Sequence, residues 1–221
     1  MLYVTATPLG NLDDTSERVK ETFKKCDLVI AENPTHSKII LDHFDLGKKR
    51  FIQFAEYNES SILPKIISEL KKTDAILVSD AGTPGISDPG FRIVRAAIAE
   101  GISVSPIPGP SAAISALSVS GLPTDKFIFS GFLPKTEIKL IKLLEEAKNI
   151  EATAVFYESP QRILKTLDYI VKHFPEAKMV IAREMTKLHE EFTRGSAEEV
   201  KKVFSTKTSI KGEITVVLSF K

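Results

Sequence analysis

The sequence predicts an α/β protein in two parts, a mainly parallel sheet with its helices followed by a second, mixed sheet. Three observations predict it. Short apolar runs of strand length alternate with segments of helical periodicity. A Gly and Pro break, GLPTDK at 121–126, interrupts that pattern. Beyond the break two strand-like runs follow each other with no helix between them, which a purely parallel sheet does not allow.

In the first part the strand-length runs are LYVTA (2–6), DLVIA (27–31), RFIQF (50–54), AILVSD (75–80) and ISVSPI (102–107). Between them Val19, Phe23 and Cys26, and later Ile93, Val94, Ala97 and Ile98, recur at the spacing of one helix face. Such alternation implies βαβ units. Asp14 with Glu17 reads as a capping box, Asp88 as the cap of a helix whose first residue is Pro89, and Gly101 as the stop of that helix. A helix over 111–120 ends this part, so the expected domains are 1–121 and 122–221. The second part reads as a strand at 127–134, a charged helix near 135–149, a strand at 153–158 and a helix near 160–174. A strand at 178–184, the run LHEEFTRG, a helix near 196–205 and a strand at 213–220 complete it.

Composition narrows the function classes. Lys and Arg total 30 against 29 Asp and Glu, so a nucleic-acid partner would have to be met by a local patch. The single cysteine, Cys26, excludes an internal disulfide and fits a reducing cytosol and a place in the core. His36, His43, His173 and His189 are scattered and read as solvated or packed residues, so no metal is expected. The N-terminus lacks the pattern of a signal peptide, and no run of apolar residues is long enough for a membrane span. The expected location is the cytoplasm.

In open α/β sheets ligands settle beyond the carboxyl ends of the parallel strands. Three of the first five strands end there in Gly and Pro loops: TPLGN, AGTPGISDPG and PGPSA. Glycine lets a ligand approach the backbone and proline stiffens the loop, so together they make a rigid main-chain surface. The sequence has no P-loop, no GxGxxG and no GxSxG. A main-chain pocket without nucleophile or metal suits a cofactor that already carries its activated group.

The motifs TPLGNLDD, VSDAGTPGISDPG, PIPGPSA, GLPTDKF with GFLP, FYESPQRI, REMTKLHEEFTRG and KGEITVV, in that order, resemble those of the small-subunit ribosomal RNA methyltransferase I family, within the tetrapyrrole methylase superfamily. The resemblance implies two α/β domains with the active site in the cleft between them, S-adenosylmethionine as cofactor, and a homodimer. It also implies 2′-O-methylation of a cytidine ribose in the decoding region of 16S rRNA within the small ribosomal subunit. Carried over residue by residue, cofactor contacts fall on Pro8, Asp80, Ala81, Gly82, Thr83, Ile86, Ser111, Ala112, Tyr157 and Glu158.

A ribose hydroxyl is a poor nucleophile until its proton is taken. Glu32 and Lys187 are the expected catalytic residues, and Asp88, Arg183 and Glu184 the expected substrate contacts. The competing reading of Glu32 is a cap for a helix beginning near Pro34. Among the basic groups, 47–50 and 135–142 border loops and are the better RNA candidates. The chain departs from the family pattern Ala-Glu-Asp-Thr-Arg at Ala31, Glu32, Asn33, Pro34, Thr35 and His36, and it lacks a helical extension after KGEITVV. Two alternatives stay open: methylation of a tetrapyrrole or other small molecule, and a cofactor-binding or RNA-binding module without catalysis.

Overall fold

The computed structural model describes residues 1–55 and 57–221. The chain forms two compact units, Met1–Ser111 and Ala112–Lys221.

In the first unit the elements run β1 (Leu2–Thr5), α1 (Glu17–Lys25), β2 (Leu28–Ala31), α2 (Pro34–His43), β3 (Arg50–Gln53), α3 (Glu59–Leu70), β4 (Ala75–Val78), α4 (Phe91–Ala99) and β5 (Val104–Ile107). The strands pair in the order β3-β2-β4-β1-β5, and every pair is parallel. Alternate residues face opposite helix layers. Leu28, Ile30, Ala75 and Leu77 pack with Ile66, Leu70, Ile93 and Ala97 of α3 and α4. Val29, Ala31, Ile76 and Val78 pack with Val19, Phe23, Ile40 and Leu41 of α1 and α2. Both faces are covered, which is why these strands read as unbroken apolar runs. From β1 the chain crosses one way to β2 with α1 on one face. From β4 it crosses the other way to β5 with α4 on the opposite face. Neighbouring strands β1 and β4 therefore mark the switch point of the sheet.

Helix ends in this unit differ from expectation in instructive ways. Asp14 does not cap α1: it lies in a 3-10 turn over Leu12–Asp14, and the extended backbone of Ser16 lets that side chain accept from the Val19 N–H. Asp88 does not cap α4 either, since Gly90, at φ +123, cannot be helical and the helix begins only at Phe91. Gly101 does end α4. Its φ is +69, its N–H donates to the Ile98 carbonyl and the Ile102 N–H donates to Ala97, the paired closure that a left-handed glycine permits. Cys26 is buried in the α1–α2 layer, and burial pushes its thiol pKa up, as for an inert core residue.

The second unit runs α5 (Ala112–Ser118), β6 (Phe127–Phe132), α6 (Glu137–Asn149), β7 (Thr153–Glu158), α7 (Ile163–His173), β8 (Lys178–Arg183), β9 (Glu191–Ser196), α8 (Ala197–Ser205) and β10 (Ile214–Ser219). Its sheet has the order β6-β7-β10-β8-β9, with β6 and β7 parallel and the other pairs antiparallel. Helices α6, α7 and α8 cover one face around Phe156 and Phe204. Helix α5 covers the other, where Ala113, Ala116 and Leu117 pack with Val155, Val180, Ala182 and Val217 of β7, β8 and β10. That packing places α5 in the second unit, so the division falls at Ser111/Ala112 rather than after Gly121. The GLPTDK break is the exit from α5. Among the described residues no helix is long and apolar enough to cross a membrane.

Candidate active site

Three loops meet at the carboxyl ends of β1, β4 and β5. Thr7 and Gly82 exchange two main-chain hydrogen bonds, Thr7 N–H to Gly82 O at 2.8 Å and Gly82 N–H to Thr7 O at 3.0 Å. Thr83 Oγ1 donates to the Pro110 carbonyl at 3.1 Å. A Cβ built on Gly82, where φ is +76, would meet Leu9 Cδ2 at 3.5 Å and Pro110 O at 3.8 Å; one on Gly109 would stand 3.0 Å from the Ala6 Cβ. The first loop therefore touches both of the others; the positive φ favours glycine at 82, and the close approach to Ala6 favours it at 109. Of the expected cofactor contacts, Pro8 and Gly82 are buried, Ala81, Thr83 and Ser111 are half-buried, and Asp80 and Ile86 are exposed. Asp88 is half-buried at the far end of the same β4 loop.

The carboxyl end of β2 adds the titratable groups. Asn33 Oδ1 accepts from the Thr35 N–H at 3.0 Å and so caps α2, which leaves the Glu32 carboxyl outside the cap. Burial raises the Glu32 pKa above the usual carboxylate range, and the neighbouring Asp80 charge raises it further. The Asp80 main-chain N–H and the His36 ring pull the other way. His36 Nδ1 lies 3.2 Å from Asp80 Oδ2. Glu32, His36 and Asp80 thus form one cluster beside the loop, and His36 is a member that the sequence reading left as a bystander.

Glu59 was also missed. Only 5% exposed at the start of α3, it accepts from the buried Gly90 N–H at 3.2 Å, with Arg92 Nε 3.8 Å away. A side chain from a distant helix thereby fixes the end of the β4 loop and the start of α4. Glu59→Leu leaves that N–H buried without a partner and is expected to cost about 1–3 kcal/mol in urea unfolding, whereas Glu59→Gln keeps an acceptor and costs less.

In the second unit β10 lies between β7 and β8, and Ile214 registers with both Glu158 and Arg183. The remaining expected residues therefore gather at one end of the mixed sheet. Tyr157 is half-buried, edge-on to Phe129 and Phe132 at ring separations of 5.0 and 5.7 Å. The Glu158 carboxylate is buried and engaged: it accepts from the Ser159 N–H at 2.8 Å and the Thr166 hydroxyl at 2.6 Å, and stands 3.4 Å from Arg162. Arg183 Nε donates to Glu191 Oε2 at 2.9 Å. Lys187 sits 3.0 Å from both Glu184 Oε1 and Glu213 Oε2. Burial alone would lower the Lys187 pKa, but these two carboxylates outweigh it and raise the value, so Lys187 is a fixed positive charge. Burial acts on Glu184 too, yet hydrogen bonds from the Glu213 N–H and Lys187 hold its carboxyl below the usual range. Among the described residues no cluster of three His, Cys, Asp or Glu side chains is placed to hold a metal ion.

A family described as Tetrapyrrole (Corrin/Porphyrin) Methylases matches residues 1–201. The chain is 44% identical over 218 residues to a ribosomal RNA small subunit methyltransferase I from Halalkalibacterium halodurans, a match covering 98% of this chain and 75% of that one. The chain belongs to the tetrapyrrole methylase family. Within it, a ribosomal RNA small subunit methyltransferase I of Thermotoga maritima is 43% identical over 221 residues, covering 100% of this chain and 98% of its own. Other tetrapyrrole methylase-type folds carry the same architecture. Diphthine synthase superposes with a TM-score of 0.75 at 17% identity, covering 99% of this chain and 90% of that one. Cobalt precorrin-4 methyltransferase superposes with a TM-score of 0.70 at 12% identity, covering 99% and 94%. As a tetrapyrrole methylase the chain is a methyltransferase, and its family calls for a methyl donor.

Proposed function

We propose that this methyltransferase transfers a methyl group from S-adenosylmethionine to the ribose 2′-hydroxyl of a cytidine in the decoding region of 16S rRNA, in the cytoplasm and as a homodimer. The observation that carries the chemistry is Glu32, a carboxyl with a raised pKa beside the loop that Thr7 and Gly82 tie down. The similarity to ribosomal RNA small subunit methyltransferases I of Halalkalibacterium and Thermotoga supports the acceptor. The junction suits a donor recognised by main-chain groups, because Gly82 and Gly109 let the three loops pack against one another at the carboxyl ends of β1, β4 and β5.

When bound, S-adenosylmethionine supplies a methyl group already activated on a sulfonium, so the protein needs to contribute position and a base. In this reading Pro8, Asp80, Ala81, Gly82, Thr83 and Ile86 hold the donor in the first unit, with Ser111, Ala112 and Tyr157 contributing further contacts. Residue 158 contributes through its main chain, its carboxylate being engaged within its own unit. With the donor in place, Glu32 would take the proton of the ribose 2′-hydroxyl, the oxygen to which the methyl group is supplied. Lys187 and Arg183 are fixed charges for phosphate or ribose, held by Glu184, Glu213 and Glu191; Asp88 is the remaining substrate contact.

The test is incorporation of labelled methyl groups into small ribosomal subunits from a strain lacking the modification, followed by mapping of the product. Incorporation at a cytidine ribose is expected. A protein that binds S-adenosylmethionine yet labels no subunit overturns the RNA reading.

A further inference from the structure

Five groups of basic residues are candidates for an RNA surface, and their ion pairs sort them. Lys25 is bound to Asp74, Lys49 to Asp27, Arg50 to Glu69, Lys71 to Glu100, Lys72 to Glu69 and Lys201 to Asp168. Every group but one therefore has a member committed to a carboxylate. The exception is Lys135, Lys139 and Lys142: all three are exposed, and none forms an ion pair among the described residues. The one acid between them, Glu137, is taken by Lys172 at 2.8 Å and His173 at 2.9 Å. No carboxylate among the described residues comes within ion-pair distance of the three lysines, although Glu145 and Glu146 follow Lys142 on the same helix.

An aromatic side chain stands at the head of the same segment. Phe132 ends the edge strand β6 and is 58% exposed, while its ring is held edge-on by Tyr157. The turn that follows is braced: Arg162 donates to the carbonyls of Leu133 and Pro134 at 2.9 and 3.2 Å, and Arg162 is itself paired with the buried Glu158. An exposed ring on a fixed mount followed by free lysines is the combination that binds single-stranded nucleic acid, the ring stacking on an unpaired base and the lysines meeting phosphates. Phosphate contacts of this kind are read out by the salt dependence of binding.

We propose that the strip from Phe132 through Lys135, Lys139 and Lys142 is the surface that grips the ribosomal RNA, a proposal that rests on the RNA reading of the function. In the 47–50 group Lys49 and Arg50 are engaged by Asp27 and Glu69, which leaves one lysine there, Lys48, against three in the strip.

The test compares wild type, the triple variant Lys135→Glu/Lys139→Glu/Lys142→Glu, Phe132→Ala and the control Lys48→Glu. Binding to small subunits lacking the modification and to a naked 16S decoding-region fragment is measured across a salt series. Titration with S-adenosylhomocysteine checks that each variant keeps its fold and donor site. For the naked fragment the triple variant is expected to lose at least about tenfold in affinity and to flatten the salt slope by about two, the share of three phosphate contacts on a single strand. Phe132→Ala loses affinity with the slope unchanged, and Lys48→Glu behaves as wild type. Unchanged affinity and slope in the triple variant, with wild type still methylating, overturn the strip and leave the RNA reading standing. Loss of subunit binding with the naked fragment unaffected places the strip against a ribosomal protein and overturns the RNA contact. A wild type that neither binds RNA nor labels subunits overturns both.

Discussion

Replacing Glu32 by glutamine is expected to lower kcat by about 10²–10⁴-fold, the usual contribution of a positioned general base. The affinity for S-adenosylhomocysteine should stay within a few fold of wild type, because the amide is isosteric and the loop that carries Gly82 is untouched. The pH profile makes the assignment sharper. Glu32 is active only when ionised, and burial and Asp80 raise its pKa, so the acid limb of kcat/KM should lie above the ordinary glutamate value of about 4.3. The His36 charge lowers that pKa, hence His36→Gln should move the limb to higher pH. Stability runs the opposite way to activity. With the folded pKa above the unfolded one, Glu32 favours the fold below the ordinary carboxylate range, and that contribution is lost as pH rises through the raised value. Thermal unfolding of Glu32→Gln at pH 8 should therefore be no lower than wild type. A variant that keeps wild-type kcat removes Glu32 from the mechanism.

Gly82→Val should abolish measurable S-adenosylmethionine binding in calorimetric titration. At φ +76 a β-branched residue is strained by about 1–3 kcal/mol. Its side chain is also directed at Leu9 and the Pro110 carbonyl, where the three loops meet. Gly101 supplies the control, since it shares a positive φ, +69, but a Cβ there meets nothing within 4 Å. Gly101→Ala should lower stability and leave donor affinity alone. Equal affinities for Gly82→Val and wild type would mean that the β4 loop is not the donor surface.

Much of this architecture is legible in the sequence because burial on both faces of a parallel sheet leaves a plain signature in runs such as Leu28–Ala31 and Ala75–Val78. Helix ends are less so. Asp14 and Asp88 carry the right chemistry for caps, yet backbone geometry hands the role to Ser16 at one site and to Gly90 with Glu59 at the other. Periodicity finds α5 but says nothing of which sheet it covers; only the contacts of Ala113, Ala116 and Leu117 decide that. At the site, the glycine loops announce themselves through composition. Glu59 and His36 do not, because each acts on a residue far away in the chain, Glu59 on Gly90 and His36 on Asp80. The 47–50 and 135–142 basic groups look equivalent in the sequence, and only the fold shows that Asp27 and Glu69 engage Lys49 and Arg50.

The pair of hydrogen bonds between Thr7 and Gly82 also has a bearing on how the protein acquires its competence. They join the end of the first strand to a loop that follows the fourth, a contact of high sequence separation that is expected to form along with the parallel pairing of β1 with β4. Recovery of S-adenosylhomocysteine binding during refolding should therefore coincide with completion of the first unit's sheet rather than precede it.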